Sequence, residues 1–485
     1  MTDNNENSRK KQTSHLSSDG PPSPPTQEAS VRTWSLGSLT YTKVGLATLF
    51  SWLLFGDVAF MLRERSAAPV AQLMLKHFQA SDLLTGLFLV TIPQAIIFIL
   101  GPVISYWSDR HRGRWGRRIP FLLIPTPFVS LAMVALGFSP VMGASINQWM
   151  GISAENANST VLGLMTFFWT IFEIGVVITN SVFNGLVNDV VPREWLGRFY
   201  GMFRAVGLAV GVFFNQLIIG KVEQHFTLFF VCIGVLYGIG FTVMCLRVKE
   251  GQYSPPSQHA AGKRLVMSAV GDYYRDCLSQ KYYLWVFCFI GLSTAAFLPV
   301  NTFAIYAAKS YGMDMGTYGR YLVATFACSF LLSLPIGWLV DKYHAIRVGQ
   351  VSLALYASLM LVGFFMTVDQ SSFGIALLVH GIVSGVYWTG TAAIGQMLFP
   401  KQKFAQYAAA AGLFQAAFSM IIAPLLGLAL DQMGNAYKYT FLVGGSMAGV
   451  SLLLGWKVHR QWLENGGYEA YIAPAPIQMA PEINP

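Results

Sequence analysis

The sequence predicts an all-α polytopic membrane protein, with twelve transmembrane helices in two pseudo-symmetric six-helix bundles. Three observations carry that expectation. The composition is apolar and almost uncharged, apolar runs of membrane-spanning length follow one another, and two short motifs of the first half recur in the second. Hydrophobic residues are 54% of the 485, charged residues 11%, and the mean hydropathy is +0.48. A water-soluble core cannot absorb that much apolar surface with so little charge to cover it. At roughly 20 residues per span the chain has room for about a dozen spans.

In chain order, residues 1–42 are polar, rich in Ser, Pro, Asn and Gln, and bury too little to order themselves; they read as a disordered cytoplasmic tail. Apolar runs then place helices at about 48–75, 83–107, 119–139, 161–186, 199–219, 226–246, 283–307, 317–339, 349–367, 372–398, 404–429 and 438–457. These group into an N-terminal bundle (43–246), a basic cytoplasmic linker (247–282), a C-terminal bundle (283–458) and a second cytoplasmic tail (459–485). Of the 32 Lys and Arg, seven fall in or beside the odd-numbered connections: Arg63, Arg65, Lys76, Lys221, Lys309, Arg320 and Lys438. The rest lie in the even connections and the tails, which puts both termini in the cytoplasm of a protein integral to the cell (plasma or inner) membrane. The same bias accounts for the net charge of +9 without an acidic partner.

The repeat supports two halves. Val191-Pro-Arg-Glu-Trp-Leu-Gly-Arg-Phe-Tyr after the fourth helix and Phe399-Pro-Lys-Gln-Lys-Phe-Ala-Gln-Tyr after the tenth share the order Pro, cation, polar, aromatic or aliphatic, small, polar and aromatic. Ser105-Tyr-Trp-Ser-Asp109-Arg after the second helix is echoed by Gly337-Trp-Leu-Val-Asp341-Lys after the eighth. Within the first half the two motifs are 83 residues apart (Asp109 to Pro192) and within the second 59 (Asp341 to Pro400), a difference assigned to a longer outer loop at 140–160.

Several functions are excluded. No Gly-x-x-x-x-Gly-Lys, His-Glu-x-x-His or Gly-x-Ser-x-Gly is present, so neither an ATP-driven pump nor a membrane hydrolase is expected, and the chain does not read as an enzyme. The five cysteines have no metal-ligand spacing, and no metal, disulfide framework or cofactor is implied. The arginine-rich stretch Ser108–Phe121 has no soluble domain to carry nucleic-acid binding; between two apolar runs it is a cytoplasmic turn.

That stretch also carries a family resemblance. Two six-helix halves with an Asp-Arg turn after the second helix resemble the major facilitator superfamily. The usual turn has one residue between Asp-Arg and Gly-Arg-Arg; here five separate Asp109-Arg110 from Gly116-Arg117-Arg118, with Pro120-Phe121 following. That spacing, together with Phe168-Trp169 leading to Glu173 and then Asp189, resembles the sucrose transporter and proton-coupled sugar transporter group and the glycoside–pentoside–hexuronide cation symporters. In the sucrose transporters an aspartate stands where Glu173 does, and an arginine stands where this chain has Asn184. Their seventh helix carries several acids and an arginine, whereas here 285–308 holds no charged residue, only Asn301 and Thr302 shortly before Lys309. The resemblance implies a conformational latch built from Asp109, Arg110, Gly116, Arg117 and Arg118, with Asp341 as its echo. When the protein is open outward, Asp109 would face the start of the eleventh helix or a nearby arginine. The alternative is topology control by positive charge alone.

Arg63-Glu64-Arg65 bear most on mechanism. Either the first helix stops at Leu62 and leaves them in an outer loop, or it runs on to the turn at Lys76–Asp82 and places them at mid-membrane, as superfamily resemblance favours. Ionisable groups at mid-membrane cost several kcal/mol and face a wet cavity or each other. Asp57 and Glu64 are seven apart and share a face. Glu173, near mid-depth of the fourth helix, is either a substrate or proton site or an ion-pair partner of Arg63 or Arg65. Asn180 lies one to two turns on. In the second half, His380 and Tyr387 share a face of the tenth helix. Trp388 beside them is a sugar-stacking candidate for which packing or interface use is the leading expectation. Asn301 and Gln415 are candidate donors near mid-depth. The expected function is secondary transport by alternating access of a small polar solute, most simply a sugar or glycoside, coupled to a proton or other cation across the lipid bilayer. Rivals are a sugar-acid or other organic-anion transporter, and a non-transporting assembly or receptor protein on the same scaffold.

Overall fold

The structure, a computed structural model, describes residues 33–153, 156–252 and 277–474. Among these, twelve helices are long and apolar enough to cross a membrane. They are α1 (Lys43–His77), α2 (Asp82–Arg110), α3 (Ile119–Met150), α4 (Ala157–Val190), α5 (Arg193–Gln224), α6 (Phe226–Arg247), α7 (Lys281–Ser310), α8 (Met315–Tyr343), α9 (Ala345–Met366), α10 (Gln370–Leu398), α11 (Phe404–Gln432) and α12 (Tyr439–Glu464). Side chains such as Phe128, Leu131, Leu334, Val351 and Leu453 stay exposed on their outer faces, as a lipid-facing surface requires.

Helix α1 is continuous for 35 residues, started by the Thr42 hydroxyl, which accepts the Gly45 N–H at 3.2 Å. Arg63, Glu64 and Arg65 therefore lie near its middle, and the outer-loop alternative is ruled out. Pro69 sits inside the helix without ending it.

Three expectations need correction. The predicted disordered tail 1–42 contains a hairpin, β1 (Trp34–Leu36) paired antiparallel with β2 (Leu39–Tyr41). Gly37 at φ 59° allows its tight turn, and Trp34 packs edge-on against Trp195 of α5 at 5.6 Å, so apolar contact orders a segment whose composition reads as disordered. Residues 1–32, most of the linker (253–276) and 475–485 lie outside the described residues. Helix α3 does not stop near 139 but continues through Pro140 to Met150, where Gly151 at φ 64° ends it. A proline removes one backbone donor, and in a membrane helix packed against neighbours that loss is tolerated. The extra length of the first repeat is thus largely helix, not an outer loop.

Helix α7 is interrupted. It is regular over Lys281–Ala295 and again over Leu298–Ser310, with a turn at Ala296 and Phe297 between, both still in the right-handed region. Pro299 has no N–H to close the helical bond across that point.

The two halves, α1–α6 and α7–α12, meet at the face away from the chain termini. There Gln72 donates to the Thr302 carbonyl (2.5 Å), Thr85 and Tyr306 share a hydrogen bond (2.8 Å), Thr91 donates to the Met420 carbonyl (3.1 Å) and Lys309 pairs with Glu223 (2.5 Å). At the terminus face, the bonds that hold the Arg117–Arg118 turn and the one between Tyr282 and Tyr471 each stay within one half. The molecule is closed at the far face, and a cleft between the halves opens toward the termini.

Candidate functional site

The N-terminal side of the cleft holds a cavity of about 460 Å³ between α1, α2 and α4, lined by Arg63, Glu64, Pro93, Trp169, Glu173 and Asn180. Arg63 is 1% exposed. Its Nη2 donates to Asn180 Oδ1 at 3.0 Å and to Glu64 Oε2 at 3.2 Å, while the guanidinium lies over the rings of Phe60 (4.6 Å) and Tyr237 (5.2 Å). Its Nε and Nη1 are buried without a hydrogen-bond partner. The arginine is held from behind by aromatic faces and offers unused donors. Glu173 is buried in the same cavity, and among the described residues no ion pair within 4 Å joins it to Arg63 or Arg65. The expected ion pair is instead made by the chain neighbours Arg63 and Glu64. Arg65 is exposed, with its guanidinium 5.7 Å from the Phe326 ring of α8.

Asp57 does not line the cleft. It is fully buried with neither carboxylate oxygen hydrogen-bonded, although it shares a helical face with Glu64. Toward the termini α1 is enclosed by its neighbours: Gly56 lies against Met244 of α6 and Met61 against Gly207 of α5.

On the C-terminal side, His380 and Tyr387 are buried and do not reach the cleft. The His380 ring lies between the Tyr356 hydroxyl (2.9 Å) and Asn301 Oδ1 (3.0 Å), and the Tyr387 hydroxyl shares a hydrogen bond with Ser293. Their common face is the one α10 presents to α7 and α9. Asn301 and Trp388 are exposed beside the α7 break, and Gln415 is half-buried on α11.

At the terminus face the arginine-rich turn is tied within its own half. Arg117 grips Asp189 through Nε (3.0 Å) and Nη2 (2.6 Å); Arg118 reaches Asp189 (3.1 Å), Asp109 (2.5 Å) and the Ser108 hydroxyl (2.7 Å). Glu250, just beyond α6, accepts the backbone N–H groups of Arg117, Arg118 and Ile119 at 2.9, 2.7 and 2.7 Å. Gly116 at φ 103° lies against that carboxylate, where a Cβ would collide with it at 2.6 Å. With the terminus face open, Asp109 meets the nearby Arg118, and Asp341 is exposed. Arg110 sits at the last turn of α2.

The far-face closure is the part sequence reasoning missed. Asp431, at the end of α11, accepts the Asp82 and Leu83 N–H groups that open α2, at 2.8 and 2.9 Å. Asn435 and the Tyr437 hydroxyl donate to the Asp82 carboxylate at 2.8 and 3.0 Å, and Lys76 lies 4.7 Å from the Tyr306 ring and 5.5 Å from Tyr437. Burial and then the neighbouring Asp82 push the Tyr437 hydroxyl up from its ordinary range, which keeps it a donor. A signal existed: an anion at the carboxyl end of a helix is disfavoured unless paired, as for Asp109, and Asp431 has that placement.

Twelve spans in two halves around a polar, one-sided cleft define a multi-pass membrane transporter, not an enzyme. The chain belongs to the major facilitator superfamily: the sequence pattern of its family described as MFS/sugar transport protein matches residues 75–451. The sucrose transport protein SUC3 of Arabidopsis thaliana is 35% identical over 138 residues, which covers 26% of this chain and spans only 22% of that protein's length. Among solved structures, the xylose transporter XylE from E. coli in an inward open conformation superposes with a TM-score of 0.62 at 13% identity, covering 84% of this chain and 96% of that one. The nucleoside transporter NupG superposes with a TM-score of 0.61 at 12% identity, covering 85% and 98%. At such identities these neighbours establish the fold alone.

Proposed function

We propose that the protein is a secondary active transporter moving a sugar or glycoside together with a proton or other cation by alternating access. The observation that carries this is the mid-membrane cluster Arg63–Glu64–Asn180–Glu173, open to a cleft whose other wall bears Asn301 and Trp388. Buried charges and amides at that depth are costly, and a scaffold or receptor would gain nothing from keeping them. Donors and acceptors on both halves suit a polyhydroxylated solute, and an aromatic face suits the apolar side of a sugar ring. Family membership and the sucrose-transport relative support the same substrate class. On the Lys and Arg bias the terminus face is read as cytoplasmic, which would make this the inward-open state. Glu173, and Asp57 deeper in α1, are then the carboxyl groups available to carry a proton. Transport would exchange this state for one in which Asp431 releases α2 and the Asp109 turn closes on the opposite half.

Uptake of a panel of labelled sugars and sugar acids into proteoliposomes, with and without a pH gradient, tests the proposal. Gradient-driven sugar uptake lost in Glu173→Gln, with sugar exchange retained, is the expected result. Absence of uptake of any solute would return the chain to the scaffold alternative. A sugar acid is the second reading, favoured by Arg65: it is exposed and makes no ion pair among the described residues, so it could hold a carboxylate.

A further inference from the structure

Three helices of the C-terminal half bring together Tyr356 (α9), His380 (α10) and Asn301 (α7) in one hydrogen-bonded chain running from core to cleft. Tyr356 is fully buried, His380 is 2% exposed and Asn301 is exposed. The Tyr356 hydroxyl meets His380 Nδ1 at 2.9 Å, and His380 Nε2 meets Asn301 Oδ1 at 3.0 Å. An amide oxygen can only accept, so Nε2 carries a hydrogen and donates it, whichever role the Tyr356 hydroxyl takes at the other nitrogen. That leaves the Asn301 side-chain NH2, with two donors and no other hydrogen bond among the described residues. Helix α7 is the most enclosed span, 67% buried among α1, α10, α11 and α12, so an exposed side chain on it opens into the cleft and not into lipid. One turn before Asn301 is the α7 break, where the Phe297 ring contacts Tyr356 (4.6 Å), Tyr387 (5.2 Å) and Trp388 (6.3 Å). Trp388 is 49% exposed beside that same break, on the side of α10 turned from the lipid-facing Ile375.

We propose that His380 is a positioning residue that fixes the Asn301 amide with its NH2 toward the cleft, and that this NH2 and the Trp388 indole face form the C-terminal half of a pyranose-binding site. The inference rests on the sugar reading above and assigns the polarity of the contact. The ligand presents hydroxyl or ring oxygens as acceptors to Asn301 and its C–H face to Trp388. His380 does not touch the ligand.

The test is the KM for uptake of a labelled sugar in proteoliposomes, for the unaltered protein, Asn301→Leu, His380→Leu, the double variant and His380→Gln. Asn301→Leu and His380→Leu should each raise KM roughly tenfold, the scale of one lost hydrogen bond. The double variant should be no worse than either, and His380→Gln, which keeps a side-chain donor, should recover most of the loss. In a deoxy-sugar series, one position should matter to the unaltered protein and cease to matter in Asn301→Leu. A His380→Leu effect that multiplies with that of Asn301→Leu, or no effect, overturns the inference. Should His380→Leu not reconstitute, Asn301→Asp decides, since at an exposed position it replaces the NH2 donor by a carboxylate oxygen that can only accept; an unchanged KM there overturns it. Absence of sugar uptake by the unaltered protein overturns the sugar reading and this site with it, whereas sugar uptake indifferent to these variants overturns the site alone.

Discussion

Replacing Asp431 with asparagine should open the far face. Its two carboxylate oxygens take the Asp82 and Leu83 N–H groups, which at a helix start have no intrahelical partner. Hydrogen bonds to a charged acceptor contribute roughly 1.5–3 kcal/mol each, and the α2 dipole adds about 0.3–1 kcal/mol. Asparagine keeps one acceptor and turns an NH2 toward the second N–H, so about one such bond and the dipole contribution are lost. Relief of repulsion from the nearby Asp82 carboxylate returns about 1 kcal/mol. The net is about 2 kcal/mol against the closed far face, or roughly 30-fold in the closed-to-open ratio; a molecule 99% closed would become about one-quarter open. Spin labels at Met150→Cys and Val368→Cys, exposed positions on the two halves at that face, would read this by pulsed dipolar spectroscopy in nanodiscs with the native cysteines replaced. The variant should gain a longer-distance population. A distance distribution identical to that of the unaltered protein would refute the reasoning.

Gly427→Val should abolish transport while leaving insertion intact, because a Cβ there would sit 2.2 Å from the Asp82 carbonyl oxygen and prevent α2 and α11 from closing; normal uptake at normal expression would contradict the close approach. Glu250→Gln removes the charge that gathers three N–H groups at the start of α3, costing about 1–2 kcal/mol, and should lower the thermal unfolding midpoint in detergent without altering far-face distances. Asp109→Asn should insert normally but slow transport through loss of its bond to Arg118; an unchanged rate would leave the turn with a topological role alone. His344, in the α8–α9 turn at 4.4 Å from the Trp462 ring, is held below its ordinary range by burial, then by His459 and Arg347. A depressed histidine favours the neutral fold, so its contribution is complete above about pH 6.5 and is lost as pH falls toward the folded value. The unfolding midpoint should therefore drop between about pH 7.5 and 5.5, and less so in His344→Gly, which also relieves the φ of 72°.

Much of the fold was legible because membrane burial is written in composition. Twelve apolar runs mark twelve spans, since a helix in lipid must satisfy its own backbone and cannot carry charge cheaply. Boundaries failed where tertiary contact outweighed local signal. Pro140 looks like a stop but is carried through, and Trp34 orders a hairpin in a polar segment by packing on Trp195. The break in α7 has a local cause in Pro299, yet a proline at position 69 leaves α1 whole, so residue type alone does not predict where a helix opens.

By itself the sequence determined the membrane class, the two-half plan and the family marker at Asp109–Phe121, which follow from hydropathy and from motif spacing along one chain. It left Arg63–Arg65 open between an outer loop and mid-helix, which the unbroken α1 decided. Only the tertiary structure decided which polar groups face the cleft. Asp57 shares a helical face with the exposed Glu64 but is enclosed by neighbouring helices, and the face that carries His380 and Tyr387 is buried, while Asn301 and Trp388 open beside the α7 break. It also decided that the far face is closed, by joining Asp82 to Asp431 across 349 positions of sequence. Helical periodicity gives the direction of a side chain, and what lies in that direction is set by helices distant in the chain.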